Sequence, residues 1–220
     1  MDGLVVFTAI TGRFNNKVRA PVYVPGCSRP VHFVCISDFL GSVPEPWHLL
    51  PPVWEHDDPR RTARWHKVMA HKLFPDADAW LWADGNQQLS TDPWVLVDEY
   101  LPEGMDIATY KHPLRKCVHK ELDACIKLKK DDPQLMRAQV SSYVQEGYPK
   151  NNGMCETTVL LRRNSQEVRE FNEIWWQQIQ NGSRRDQLSF NYAIWKAKLG
   201  FDHLPGRRDK PVHFKYFAHR

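Results

Sequence analysis

The run Trp80-Leu81-Trp82-Ala83 is apolar and aromatic, and it stops abruptly at Asp84-Gly85-Asn86. A short apolar run bounded by turn residues reads as a strand buried on both faces. Such a strand must be covered by other elements on both sides, which constrains the fold more than any other feature of the chain. Two further runs have the same form. Leu4 to Ile10 is rich in Val and Ile and ends at Thr11-Gly12, and Val31 to Ile36 is closed by Ser37-Asp38.

Between these runs the periodicity turns helical. Asp57-Asp58-Pro59 is a start signal, an Asp cap followed by Pro at the first helical position. Trp65, Val68, Met69 and Leu73 follow at helical spacing, up to Phe74-Pro75. Pro93 to Tyr100 reads as a short helix and Asp106 to Tyr110 as a strand. Arg115 to Arg137 reads as mostly helical, interrupted at Pro133, and Thr157 to Leu161 as a β-branched strand. Asn164 with Glu167 forms a capping-box start for a helix that buries Val168, Phe171 and Trp175. A last helix spans about Arg185 to Leu199. The Pro-rich segment Val43 to Val53 reads as a loop, and the tail from Phe201 to Arg220 as basic and irregular. The element order predicts a mostly parallel open sheet with helices on its faces, an α/β domain.

Composition sets the outer limits. A chain of 220 residues with 42% hydrophobic residues and nine Trp can bury one sizeable core, and it is not a disordered composition. A net charge of +4 admits polyanionic partners without requiring them. Five Cys with no Cys-x-x-Cys pair argue against a disulfide framework or a zinc knuckle. Reduced thiols in a cytoplasmic setting are the simplest expectation. The N-terminal residues lack the basic region and cleavage site of a signal peptide, and no apolar run approaches a membrane span.

In open α/β sheets, ligands bind beyond the carboxyl ends of the strands. Thr8 to Gly12, Asp38, Asp84-Gly85-Asn86 and Lys111-His112 all fall at predicted strand ends. Asp84 and Asn86 offer two hard oxygens to a divalent cation that takes its remaining ligands from phosphate and water. The same tripeptide also suits an Asx-type turn. Arg60, Arg64 and Lys67 share one helix face, either a solvated basic face or a reach toward phosphates, with Arg64 and Lys67 favoured. Asn151 to Glu156 places small, amide-bearing residues and one carboxylate ahead of a strand. Glu156 is thus a candidate base, or a turn carboxylate. Asp186 opens the last helix, where any helix start favours an acid. His203, His213 and His219 crowd the tail, and one of them is a candidate for completing a metal site.

Taken together, four segments resemble a known family. They are Trp80 to Asn86, Lys111-His112-Pro113-x-Arg115-x-Cys117, Gly153-x-x-Glu156, and Ser183-Arg184-Arg185-Asp186-Gln187-Leu188-Ser189-Phe190. The chain is similar, from about Val5 to His219, to the glycosyltransferase-like domain of plant and bacterial proteins once classed as a domain of unknown function. That resemblance implies the glycosyltransferase type A fold. A Rossmann-like nucleotide-binding half (about residues 1–90) would merge with an acceptor half (about 91–220). It implies a nucleotide-diphosphate sugar as donor and a Mn²⁺ or Mg²⁺ ion. Asp84 and Asn86 match the Asp-x-Asp position of that fold, with Asn in place of the second acid, and His219 fits the metal-ligating tail position best. Thr8, Thr11 and Gly12 match the first nucleotide loop, and Asp38 the end of the second strand. Arg64, Lys67, Lys111, His112, Gly153, Arg185 and Gln187 are the further expected donor-binding residues. Asp186 and Glu156 are the candidate catalytic carboxylates. The acceptor is a hydroxyl of a glycan, a small molecule or a hydroxylated DNA base, the last admitted by the basic helix and tail. Two other classes stay open, a non-catalytic nucleic-acid-binding module and a metal-dependent nucleotide-sugar hydrolase.

Overall fold

The computed structural model describes residues 1–12, 17–22 and 29–218. One seven-stranded sheet forms the centre, in the order β3-β2-β1-β4-β7-β6-β8. Its strands are β1 (Leu4–Ile10), β2 (Val31–Ser37), β3 (Trp47–Leu50), β4 (Ala79–Ala83), β6 (Ile107–Lys111), β7 (Cys155–Arg163) and β8 (Phe201–Leu204). Strands β3, β2, β1 and β4 run parallel, and β8 runs parallel to β6. Strand β7 is antiparallel to both of its neighbours. The expected α/β sheet is present and mostly parallel, with one reversed strand. That reversal matters for the site, because it brings Cys155, Glu156 and Thr157 to the edge where β4 and β6 end.

The alternation of side chains along the strands builds two cores. Val5, Phe7, Trp80 and Trp82 point to one face, against Val168, Phe171 and Trp175. Leu4, Val6, Leu81 and Ala83 point to the other, against Trp94, Leu96 and Leu101. Helices α1 (Pro59–Val68), α2 (Ala70–Leu73), α6 (Gln166–Asn181) and α7 (Asp186–Ala197) belong to the first layer. Helix α3 (Pro93–Tyr100) belongs to the second. Trp175 and Trp176 are both buried in the first layer.

Helix α1 starts as its sequence dictates: the Asp58 side chain accepts from the Arg60 N–H, and Pro59 opens the helix. Such a cap contributes about 1 kcal/mol. Its far end is held from the sheet. The fully buried Arg162 guanidinium donates to the carbonyls of Lys67 and Val68 and to Asn172. These are the carbonyls a helix end leaves without partners. Burial pulls the Arg162 side chain down to about 9.

Several elements differ from the sequence expectation. Pro133 begins a helix instead of interrupting one: α4 spans Val118–Lys127 and α5 spans Pro133–Gln145, with Asp132 as the cap. Ser165, not Asn164, caps α6. The Pro-rich segment contains the edge strand β3. The tail is ordered by pairing: the β9 (Gly206–Arg207) and β10 (Lys210–Pro211) hairpin is followed by β11 (Phe214–Tyr216), which pairs with β5 (Gln87–Leu89). Segments of two to four residues carry too few positions for periodicity to reveal them, and their partners lie far away in sequence.

Candidate functional site: a cationic cleft beside a buried polar cluster

A cleft of about 490 Å³ opens at the carboxyl ends of β1 and β4. Its walls come from Ala9 to Thr11, from the start of α1 (Pro59, Arg60, Ala63, Arg64), from Trp82 and the Asp84-Gly85-Asn86 turn, from Leu128 to Lys130, and from Arg184 and Arg185. Six of these residues are cationic and only Asp84 is acidic, so the cleft is built for negative charge.

The turn is fixed from several sides. The Trp82 indole N–H donates to Asp84 Oδ1 at 2.8 Å, the Asp84 N–H donates to the Thr158 carbonyl, and Gln87 N–H closes back on Asp84. The Phe217 N–H donates to the Asn86 carbonyl at 2.9 Å. Asp84 and Asn86 therefore present their side chains from a braced turn in the cleft wall. Two hard oxygens beside a cationic surface are a donor set that fits a divalent ion carrying a polyphosphate. Among the described residues, no three His, Cys, Asp or Glu side chains converge as a metal cluster. His219 lies outside the described residues. His213 is engaged elsewhere, with Tyr100 and Thr91, and His203 lies on the edge strand β8, near the Thr109 carbonyl.

Thr11 lines the cleft and donates its hydroxyl to the Pro59 carbonyl at 2.6 Å, tying the end of β1 to the start of α1. Gly12, at φ +76°, takes a backbone conformation that favours glycine, and its N–H donates to both Asp38 oxygens at 3.0 and 3.1 Å. Asp38 thus anchors Gly12 just past the end of β1 and is not part of the cleft wall. Thr8 is buried within β1 behind it.

Beneath the cleft lies a closed ionic group. Lys67 Nζ reaches Asp186 Oδ2 at 2.6 Å and the Thr157 hydroxyl at 2.9 Å. Thr157 also donates to Asp186, and Arg64 Nε lies 3.1 Å from Asp186 Oδ1. Lys67 and Asp186 are both almost fully buried. Burial would raise the Asp186 carboxyl, but Arg64, Lys67 and Arg185 outweigh it and hold it far below the usual carboxylate range. Burial lowers the Lys67 ammonium, with Asp186 and Asp84 opposing. Trp175 donates its indole N–H to the Asp186 carbonyl, which seats the first turn of α7.

A second polar cluster sits at the paired ends of β6 and β7. His112 Nδ1 accepts the backbone N–H groups of Leu114 and Arg115 at 3.1 and 3.0 Å. Its Nε2 therefore carries the proton and faces Glu121 at 3.8 Å. Glu121 is buried and ion-paired with Arg115. Burial, helped by the Arg115 charge, brings the His112 ring down to about 4. Glu156 is buried, with Oε1 lying 3.4 Å from Arg208 on the β9–β10 hairpin. Burial raises its carboxyl, and Arg208 opposes that rise.

Of the residues expected from sequence, Thr11, Arg64, Asp84, Asn86 and Arg185 meet in the cleft wall. Lys67 and Asp186 lie below it, and His112 and Glu156 belong to the second cluster. Lys111 is exposed at the end of β6, and Gly153 turns the chain before β7 at φ +76°. Gln187 binds the Cys155 carbonyl and Arg185. Sequence reasoning missed Lys129, Lys130 and Arg184 as cleft residues, and Gln87 as a neighbour of Arg208. The two lysines had a legible signal, since they precede the Asp132-Pro133 helix start and so lie in a loop. Gln87 had none beyond adjacency to Asn86.

The glycosyltransferase-like domain of the TOD1/MUCI70 family matches residues 52–218. The chain is 29% identical over 153 residues to a probable hexosyltransferase, MUCI70, of Arabidopsis thaliana, covering 66% of this chain and 26% of that protein. It is 29% identical over 138 residues to the alkaline ceramidase TOD1 of the same plant, covering 58% of this chain and 30% of that protein. The matched region thus spans less than a third of either relative. Among the described residues, no helix is long and apolar enough to cross a membrane. With three quarters of its length matched, and with the cleft and braced Asp84 turn contained in that stretch apart from Ala9 to Thr11, the chain belongs to the TOD1/MUCI70 glycosyltransferase-like domain family.

Proposed function

We propose that the chain is a metal-dependent glycosyltransferase that moves a hexosyl group from a nucleotide-diphosphate sugar to a hydroxyl acceptor. One observation carries this reading: the Asp84-Gly85-Asn86 turn stands in the wall of a cleft whose other charged residues are all cationic. Arg64 and Arg185 supply fixed positive charge where a departing diphosphate gains negative charge. Asp84 and Asn86 would hold the Mn²⁺ or Mg²⁺ ion, which as a Lewis acid would offset the charge of the leaving group.

The two carboxylates take different parts. Asp186, held ionised by Lys67 and Arg64, is a poor proton acceptor and instead aligns those cations. Glu156 is the better base, because burial lifts its carboxyl toward the working pH. The name of the second relative points to a lipid amide as substrate. Six cations in the cleft wall suit a diphosphate leaving group better than an uncharged lipid amide, so glycosyl transfer is the favoured reading.

The test is a thermal-shift screen with UDP-, GDP-, ADP- and CMP-sugars, each with and without Mn²⁺. A rise in Tm that needs both one nucleotide class and the metal, lost in Asp84→Ala, is the expected result. No rise with any pair, or full turnover by Asp84→Ala, would overturn the assignment.

A further inference from the structure

The cations of the cleft wall are of two kinds. Arg64, Arg184 and Arg185 are each met by an acid behind the wall. Arg64 lies 3.1 Å from Asp186, Arg184 reaches Asp58 at 2.9 Å and Asp131 at 3.8 Å, and Arg185 lies 3.9 Å from the buried Glu121. Lys129 and Lys130, on the loop between α4 and α5, line the same cleft and are exposed. Among the described residues, neither ammonium has an ion pair or a hydrogen bond. The segments outside the described residues contain no Asp or Glu to supply one. The two acids that follow in sequence are occupied elsewhere. Asp131 accepts from the Ser183 hydroxyl and the Arg184 N–H, and Asp132 accepts from the Leu135 N–H as the cap of α5. The loop itself is fixed. Arg184 donates to the Lys130 carbonyl at 3.1 Å, and the Lys130 N–H donates to the Cys125 carbonyl at 3.0 Å. Lys129 stands at φ +50°, a left-handed backbone that glycine adopts at lower cost. The wall thus holds two unmatched cations in set places, one of them against its backbone preference.

We propose that Lys129 and Lys130 bind an anionic group of the acceptor, and that the acceptor is an acidic glycan whose sugars bear carboxylate or sulfate. The proposal rests on the glycosyl-transfer reading and names the class of its acceptor. In that reading Arg64 and Arg185 face the departing diphosphate, which leaves the two lysines for a second anion. They share one cavity of about 490 Å³ with the Asp84 turn, so an anion held on them lies in the same cleft as the donor. An ammonium on a flexible stem is a point charge that meets an anion without demanding the paired geometry of a guanidinium. Nucleic acid is also anionic, but strands bound in a groove are held by bases stacked on open aromatic faces. Trp82 in the cleft wall is buried, and no aromatic side chain is among the exposed large hydrophobic residues of the described chain.

The experiment is capture of the full chain on immobilised glycans. Three variants are compared with it: Lys129→Gln with Lys130→Gln, Lys129→Arg with Lys130→Arg, and Lys129→Gly alone. The probes are alginate, hyaluronate and polyglucuronate, each beside its carboxyl-reduced counterpart, then dextran sulfate beside dextran, and DNA. Calorimetric titration with UDP, GDP, ADP and CMP sugars in Mn²⁺ runs in parallel, and Tm is read for every variant. Both lysines are exposed, so these variants remove no buried contact. The wild type should retain at least one acidic glycan about tenfold better than its neutral form. The paired glutamines should lose that preference with nucleotide-sugar affinity unchanged, and the paired arginines should keep it. Lys129→Gly should hold or raise Tm while weakening capture, which a structural role for the lysine would not do. The uronate and sulfate arms tell the two sources of charge apart. Equal capture of acidic and neutral forms, a preference for DNA, or lost nucleotide-sugar affinity in the glutamine variant overturns the proposal and leaves the glycosyl-transfer reading standing. A wild-type chain that binds no nucleotide sugar overturns that reading, and the acceptor role with it.

Discussion

Asp186 and Glu156 are both buried carboxylates at the edge where β4 and β6 end, yet their surroundings are built in opposite ways. Asp186 receives Lys67 and Thr157 on one oxygen and Arg64 on the other. Glu156 has Arg208 near one oxygen and no hydrogen bond on the other. The first carboxylate is finished by its own chain. The second is left open, and a buried group left open is costly unless something else completes it. The contrast separates a charge satisfied within the chain from one that is not, even though both types of residue look alike in sequence.

Lys67→Ala should break the closed group most severely. Asp186 would lose its shortest ion pair while staying buried, at a cost of about 3–5 kcal/mol, and the paired replacement Lys67→Met with Asp186→Leu should recover much of it. Urea melts of the single and double variants measure both. An equal loss in the single and double variants would remove the closed group's claim to be a matched unit.

Glu156→Gln should do the reverse. It removes a charge that burial disfavours, so Tm should hold or rise, while transfer to acceptor falls by about 100-fold or more. A variant that loses stability but keeps its rate would make Glu156 structural and erase the contrast with Asp186.

His112 sharpens the comparison through pH. Its folded value of about 4 lies below the ordinary 6.5, so the unfolded chain binds the proton more readily. The stability tied to its neutral form is therefore full above about pH 6.5 and is lost as the pH falls toward 4. At pH 5 the loss is about 2 kcal/mol. His112→Asn should flatten the fall in Tm between pH 7 and 5. His66, His71 and His213 are lowered as well, so some slope will persist.

Arg208→Ala should give the smallest effect. Arg208 opposes the rise of the Glu156 carboxyl, while Asp209 on the same hairpin and Glu121 on α4 add to that rise and Arg115 counters it. Without Arg208 the acid limb of the rate profile should move to higher pH, and Arg208→Lys should restore it. An unmoved limb in Arg208→Ala would place the proton acceptor elsewhere.

Much of this arrangement is legible in the sequence. The long strands, the capped start of α1 and the Asp84 turn are local patterns, written in a few consecutive residues. The cleft wall is partly legible because strand ends in an open sheet converge, which brings Thr11 and Asp84 together. The direction of β7 is not written locally, since an apolar strand reads the same in either sense. That is why Glu156 and Thr157 gain their neighbours only in three dimensions. Lys67 shows the other gap. On a helical wheel it continues the basic face of Arg60 and Arg64, but Asp186 and Thr157, 119 and 90 residues away, draw it inward. Such pairing distances lie beyond any periodicity.

The short pairing of β11 with β5 also has a consequence in time. Gln87 meets Arg208 across 121 residues of chain, and Asn86 is bonded by Phe217. Contacts between such distant segments form only after a large loop has closed, so they come late in folding. On a ribosome, the β1–β2–β4 scaffold can assemble while the Asp84 turn still lacks its brace and Glu156 its ion-pair partner Arg208. The sheet would thus be built before the cleft wall is complete, and these downstream segments would finish it.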